Sequence, residues 1–202
     1  MSNKKIRVSL LQIEGRETPI LNASLIKKAL IKAYKFNPDI ICLPECANIM
    51  TANKSHLVKH ATLQKDCPVL EECIQFAKKY NKFVSVGSLL LKKNNSSKLL
   101  NRSFFINHSG KIMAYYDKIH LFDVNINRKE VHRESKSFHK GNKVAIVTSP
   151  WGKIGLTICY DIRFPNLYRN LVKQGVKIIL VPAAFTVPTG KDHWEILLRS
   201  RA

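Results

Sequence analysis

Three side chains with complementary chemistry stand where apolar segments of this sequence end. Glu45 follows Ile40-Ile41-Cys42-Leu43-Pro44, Lys118 follows the segment 111–117, and Cys159 closes the segment 153–158. A thiol is a nucleophile, a carboxylate can take its proton, and an ammonium can hold a developing negative charge. Cys159 draws attention first, because it ends an apolar run and faces the start of a helical segment. The backbone N–H groups and the helix dipole there favour a thiolate and an oxyanion. Each residue also has a plain alternative. A cysteine after an apolar strand is commonly a small core residue, and a Glu or Lys at a strand end commonly serves solubility. It is the coincidence of the three that carries weight.

Other reactive side chains make weaker cases. Cys42 and Cys46 flank Pro44-Glu45, yet no second cysteine pair or spaced histidine pair completes a four-ligand zinc site. His56 and His60 stand four apart without the Glu that makes a metalloprotease helix, and read as surface histidines. No metal is expected. Five cysteines, an odd number without a disulfide-framework spacing, suit a reducing compartment, and a cytoplasmic protein is expected.

The elements that must position these residues alternate between strand and helix character, the pattern of a layered α/β domain. The run 6–13 reads as a buried strand. Over 22–36 the residues Leu25, Ile26, Ala29, Leu30, Ala33 and Tyr34 mark one face of a helix, with lysines opposite. Asn37-Pro38-Asp39 ends it, residues 40–43 form a second buried strand, and Pro44 delivers Glu45 to the strand's carboxyl end. A helix over 68–80 opens on Pro68. Strands at 83–91, 99–107 and 111–117 follow, joined by turns that favour antiparallel hairpins. The polar stretch 120–142 is long enough to be functional. A hairpin over 143–148 and 153–158, a helix over 165–174, a buried strand over 177–181 and a last helix with Trp194, Leu197 and Leu198 on one face complete the reading.

The 202 residues suit a single domain spanning 1–202, with an ordinary apolar fraction of 45% and charged fraction of 24%. No apolar stretch reaches a membrane span, and Met1 to Lys5 leads into a strand rather than a signal peptide. The net charge of +20 raises nucleic acid as a partner. Its lysines are scattered, without a basic block or interleaved aromatic residues, so neither nucleic acid nor membrane is expected as a partner.

Three stretches then align with one family. Ile41-Cys42-Leu43-Pro44-Glu45, Tyr116-Asp117-Lys118-Ile119-His120-Leu121-Phe122-Asp123 and Gly155-Leu156-Thr157-Ile158-Cys159-Tyr160-Asp161-Ile162-Arg163-Phe164-Pro165 resemble, in order, the signature blocks of the nitrilase (carbon-nitrogen hydrolase) superfamily. Residues 159–168, 182–190 and 193–195 are most similar to the branch holding omega-amidases and deaminated-glutathione amidases. The resemblance implies an α-β-β-α sandwich, often dimeric, without metal or organic cofactor. It implies Glu45 as general base, Cys159 as nucleophile, and Lys118 with the backbone N–H of Tyr160 as oxyanion donors. Arg133-Glu134-Ser135, with Phe138 and Gly141, resembles a further block in which Glu134 supports the site. These residue types suit one another: a thiol of pKa about 8.5 is mostly protonated at neutral pH and needs both a base and a nearby cation.

The implied substrate is a small amide bearing a carboxylate, cleaved to release ammonia through a thioester. Members of the family continue beyond the helix matching 193–202, so the sequence is expected to lack the last strands of the sandwich. A homodimer is expected where the fold is complete. A shortened, inactive descendant is the alternative to an active amidase.

Overall fold

The computed structural model describes residues 5–125 and 131–202, so Met1 to Lys4 and five residues of the polar stretch 120–142 lie outside the description. Its first sheet has β1 (Val8–Leu10), β2 (Ile40–Cys42), β3 (Phe83–Lys92), β4 (Leu99–Ile106) and β5 (Ile112–Asp117) in that spatial order. β1, β2 and β3 run parallel, while β3, β4 and β5 form the expected antiparallel hairpins. A short hairpin of β6 (Asp123–Asn125) and β7 (Val131–Arg133) stands apart. The second sheet contains β8 (Ala145–Ser149), β9 (Gly152–Leu156) and β10 (Val176–Leu180) in the order β10-β9-β8.

Helices α1 (Pro19–Tyr34) and α3 (Pro68–Tyr80) cover the outer face of the first sheet. Ile26 and Leu30 of α1 and Val69 and Cys73 of α3 pack with Ile41, Val84, Val86 and Phe104. Neighbouring residues on a strand face opposite ways. Phe105, with Ile40, Phe83 and Tyr116, therefore meets Val147, Ile154 and Leu156 of the second sheet. Both faces of β3 and β4 are therefore covered, and all but one residue of each is buried. On the far side, α4 (Pro165–Lys173) and α5 (Val187–Arg201) bring Leu167, Tyr168, Trp194 and Leu198 against Ile179 and Val181. The layers are α-β-β-α.

The structure corrects two burial expectations. The run 6–13 forms only the three-residue β1, whose Leu10 is 78% exposed. β10 is also only partly buried. Both have one strand neighbour among the described residues, so one side of each lacks cover. A helix not anticipated, α2 (Lys54–His60), carries His56 and His60 on an exposed turn. Asn53 caps it by accepting the His56 N–H. No described helix is long and apolar enough to cross a membrane.

Candidate active site

Three strand ends converge where the two sheets meet. After β2, the Leu43 N–H still donates to Ser85 and the Pro44 carbonyl accepts from the Ser88 N–H. Gly87 permits that approach, because a Cβ there would overlap the Leu43 and Pro44 carbonyls. Glu45 leaves the strand at this point, and Cys46 behind it takes a left-handed backbone at φ 56°. After β5, the Lys118 N–H donates to the Asn101 carbonyl and the Lys118 carbonyl accepts from the Gly141 N–H. Any side chain at Gly141 would overlap the Asp117 carbonyl. After β9, the Cys159 N–H donates to the Pro182 carbonyl at 2.8 Å, and Cys159 sits at φ 48°, a sharp turn that exposes its side chain to the meeting point. A short 3-10 turn, Cys159–Arg163, follows, and α4 begins at Pro165 as the sequence led one to expect.

The side chains meet in an ion network. Lys118 Nζ lies 3.0 Å from Glu45 Oε1 and 3.0 Å from Glu134 Oε2. It also lies 3.2 Å from Glu134 Oε1. Glu45 and Lys118 are 5% and 3% exposed, and Cys159 is 9% exposed. The second Glu45 oxygen accepts the Ala184 N–H at 2.9 Å. Glu134 Oε2 also accepts the Phe122 N–H, which ties the network to the loop before β6. Two anions around one ammonium, all hydrogen-bonded, meet the condition for keeping charge out of water.

Charges set the protonation states. Burial is the strongest single influence on the Glu45 carboxyl and would raise it, but the Lys118 ammonium and the hydrogen bonds with Cys159, Lys118 and Asn101 together hold Glu45 below the ordinary carboxylate range. Burial would lower Lys118, yet Glu45 and Glu134 hold it well above its usual value. Burial and then Glu45 push the Cys159 thiol well up, against the opposing pull of Lys118. The resting set is therefore carboxylate, ammonium and neutral thiol. The thiolate that the strand-to-helix geometry suggested is not favoured at rest, because dehydration and the facing carboxylate outweigh the nearby cation.

Asp161, fully buried, braces the turn. Its carboxylate accepts from the Tyr116 hydroxyl at 2.8 Å, the Ile158 N–H at 2.8 Å and the His120 N–H at 3.0 Å. His120 Nδ1 is 2.7 Å away, with the ring stacked on Phe164. One carboxylate thus joins the segment carrying Lys118 to the turn carrying Cys159. Above the network opens a cavity of about 610 Å³ walled by Met50, Leu57, Phe122, Phe138, Tyr160 and Phe185. The Tyr160 N–H has no acceptor among the described residues and follows Cys159 directly.

All five residues singled out in the sequence, Glu45, Lys118, Glu134, Cys159 and Tyr160, line this cavity. Sequence reasoning missed Asn101, whose Nδ2 lies 3.1 Å from Glu45 Oε1, and Asp161 as a brace. Asn101 carried no distinctive signal, because Arg102 and Ser103 beside it in β4 are polar as well.

A family model described as carbon-nitrogen hydrolase matches residues 7–202. A deaminated glutathione amidase of Yersinia enterocolitica is 37% identical over 203 residues, covering 98% of this chain and 70% of that protein. The omega-amidase NIT3 of Saccharomyces cerevisiae is 32% identical over 208 residues, covering 99% of this chain and 70% of that protein. Among solved structures, the Caenorhabditis elegans NitFhit protein superposes with a TM-score of 0.90 at 32% identity, over 100% of this chain and 49% of that one. Saccharomyces cerevisiae Nit3, described as a member of branch 10 of the nitrilase superfamily, gives 0.85 at 27% identity, over 99% of this chain and 74% of that one.

Proposed function

This chain belongs to the carbon-nitrogen hydrolase family, and on that premise we propose that it hydrolyses the C–N bond of a small amide bearing a carboxylate, by way of a thioester on Cys159. The observation that carries the reading is the buried meeting of Glu45, Lys118 and Cys159 at the floor of one cavity. With the carboxylate held low and the thiol held high, Glu45 rests unprotonated and Cys159 rests as the thiol, so the acceptor and the proton that the sulfur must lose stand at the same site.

Glu45 takes the thiol proton as Cys159 Sγ attacks the amide carbon. The carbonyl oxygen, now an oxyanion, faces the Lys118 ammonium and the Tyr160 N–H. Glu45 passes its proton to the departing nitrogen, the C–N bond breaks, and ammonia leaves. Water then attacks the thioester carbonyl while Glu45 takes a proton from it. Collapse of the second tetrahedral intermediate releases the carboxylic acid, and the sulfur regains a proton from Glu45. Glu134 keeps Lys118 in place throughout and fixes the Phe122 end of the cavity. Glu45 and Cys159 end in the protonation states in which they began, the thiol proton having left with ammonia and water having supplied its replacement, so the cycle calls for no cofactor.

The carboxylate on the substrate is supported by likeness to proteins named omega-amidase and deaminated glutathione amidase. The net charge of +20 is compatible with it. The test is ammonia release from a panel of short amides with and without a second, charged end. Turnover is expected for the carboxylate-bearing members and is expected to vanish in Cys159→Ala. Undiminished release by that variant would overturn the assignment. A homodimer where the fold is complete, in the reducing cytoplasm, is part of the proposal, and sedimentation of the purified chain would measure the first half of it.

A further inference from the structure

Asn101 lies within β4 and is 2% exposed. Its Nδ2 reaches Glu45 Oε1 at 3.1 Å and Glu134 Oε1 at 3.3 Å. Lys118 Nζ reaches those same two oxygens at 3.0 and 3.2 Å. Ammonium, carboxylate, amide and carboxylate therefore close a ring of alternating donors and acceptors. The cross-strand bond from the Lys118 N–H to the Asn101 carbonyl sets the two side chains beside each other.

The amide's other end carries the second observation. Asn101 Oδ1 is buried and has no hydrogen-bond partner among the described residues. Turning the amide over would aim that oxygen at two carboxylates, so the site enforces the orientation that leaves it unpaired. A side chain serving stability alone would not leave a buried carbonyl empty, whereas the neighbouring buried Ser103 donates its hydroxyl to the Val86 carbonyl. The unpaired oxygen points to a role for the donor end.

We propose that Asn101 is a positioning residue: by dividing its amide hydrogens between Glu45 and Glu134 it holds both carboxylates against Lys118 and keeps Glu45 aligned with the Cys159 thiol. This rests on reading Glu45 as the general base. Glu45 is faced by Lys118 at the end of β5, Glu134 after β7, Cys159 after β9, the Ala184 N–H after β10, and its own neighbour Cys46. Lys118 is the cation of that set, and Asn101 and Ala184 supply neutral donors. Without Asn101, Glu45 Oε1 turns wholly to Lys118 and its proton affinity rises, because the amide hydrogen bond favours the ionised carboxylate.

The test uses Asn101→Leu in the whole 202-residue chain, which removes both donors and the unpaired oxygen together. The readout is the pH dependence of Cys159 alkylation by iodoacetamide, followed by mass spectrometry on the Cys159 peptide, beside a thermal melt. Alkylation requires no amide substrate, so a wild-type chain that cleaved no amide would count against the proposed function while this readout still judged Asn101. The expected result is a melt close to wild type with alkylation at neutral pH at least about tenfold slower, and its acid-side midpoint higher by about one pH unit. An unchanged rate and midpoint in the folded variant would overturn the proposal. Should Asn101→Leu fail to fold, Asn101→Ala is read by the same two criteria.

Discussion

At the scale of single residues, the site is a set of opposed pulls whose outcomes differ in sign. Lys118 depresses Glu45, while burial and Glu45 together raise Cys159, so base and nucleophile are pushed apart in proton affinity. Because the Glu45 carboxyl is held below its ordinary value of about 4.3, the base form persists as pH falls until that depressed value is reached. A kcat/KM profile is thus expected to keep its acid limb below about pH 4.3 for as long as the fold survives; a limb near 6 would contradict it. Lys118→Ala leaves Glu45 and Glu134 buried without their cation. Denaturant unfolding is expected to show a loss of about 3–5 kcal/mol. Under conditions where the variant is folded, kcat should fall about 100- to 1,000-fold.

At the scale of elements, the strands that end at the site were legible because buried strands announce themselves as apolar runs, and Pro44 marks where one stops. Helix α3 matched the expected residues 68–80, since Pro68 opens it and Asn81 closes it in a left-handed conformation. What stayed hidden depends on contacts distant in sequence. Asn101 gains its meaning only when β4 lies beside Lys118, and Asp161 only when Tyr116 of β5 and His120 just after it reach it. Helix α2 is one short turn system with a single buried apolar residue, Leu57, too little for a periodicity to show. β1 looked buried because its composition is apolar, yet composition does not reveal that a strand lies at an edge. Glu134 was reached through family resemblance, since an acid in a polar loop carries no local signal. The glycine contacts give a test at this scale. Gly141→Ala forces a side chain into the Asp117 carbonyl and moves the end of β5. It is expected to destabilise the fold by about 1–3 kcal/mol and to lower kcat more than it changes KM. A variant with wild-type kinetics would show that Lys118 is not held through this contact.

At the scale of the whole molecule, the four layers bury Cys67, Cys73 and Cys159 and partly bury Cys42 and Cys46, to an extent that pH can report. Burial is the first cause at each of them: Cys42 is pushed up to about 12, and Cys46, Cys67, Cys73 and Cys159 are also raised. In the unfolded chain these thiols ionise near pH 8.5. A folded value above the unfolded one gives stability that is whole below about pH 8.5 and is lost as pH climbs towards the folded value. Each thiol contributes up to about 1.4 kcal/mol per pH unit in that window. The melting temperature is therefore expected to drop steeply between about pH 8.5 and 10.5, and a flat curve would show the thiols to be more accessible than the packing implies. The same enclosure surrounds the chemistry, whose central claim is a covalent acyl group on Cys159 during hydrolysis of an amide. The most direct measurement is acid quenching of the working chain with a carboxylate-bearing amide, followed by mass spectrometry of the peptide containing Cys159. The expected result is an acyl adduct on Cys159 that forms with the first release of ammonia and decays when substrate is exhausted. Ammonia release at full rate with Cys159 unmodified at every quench time would contradict the claim.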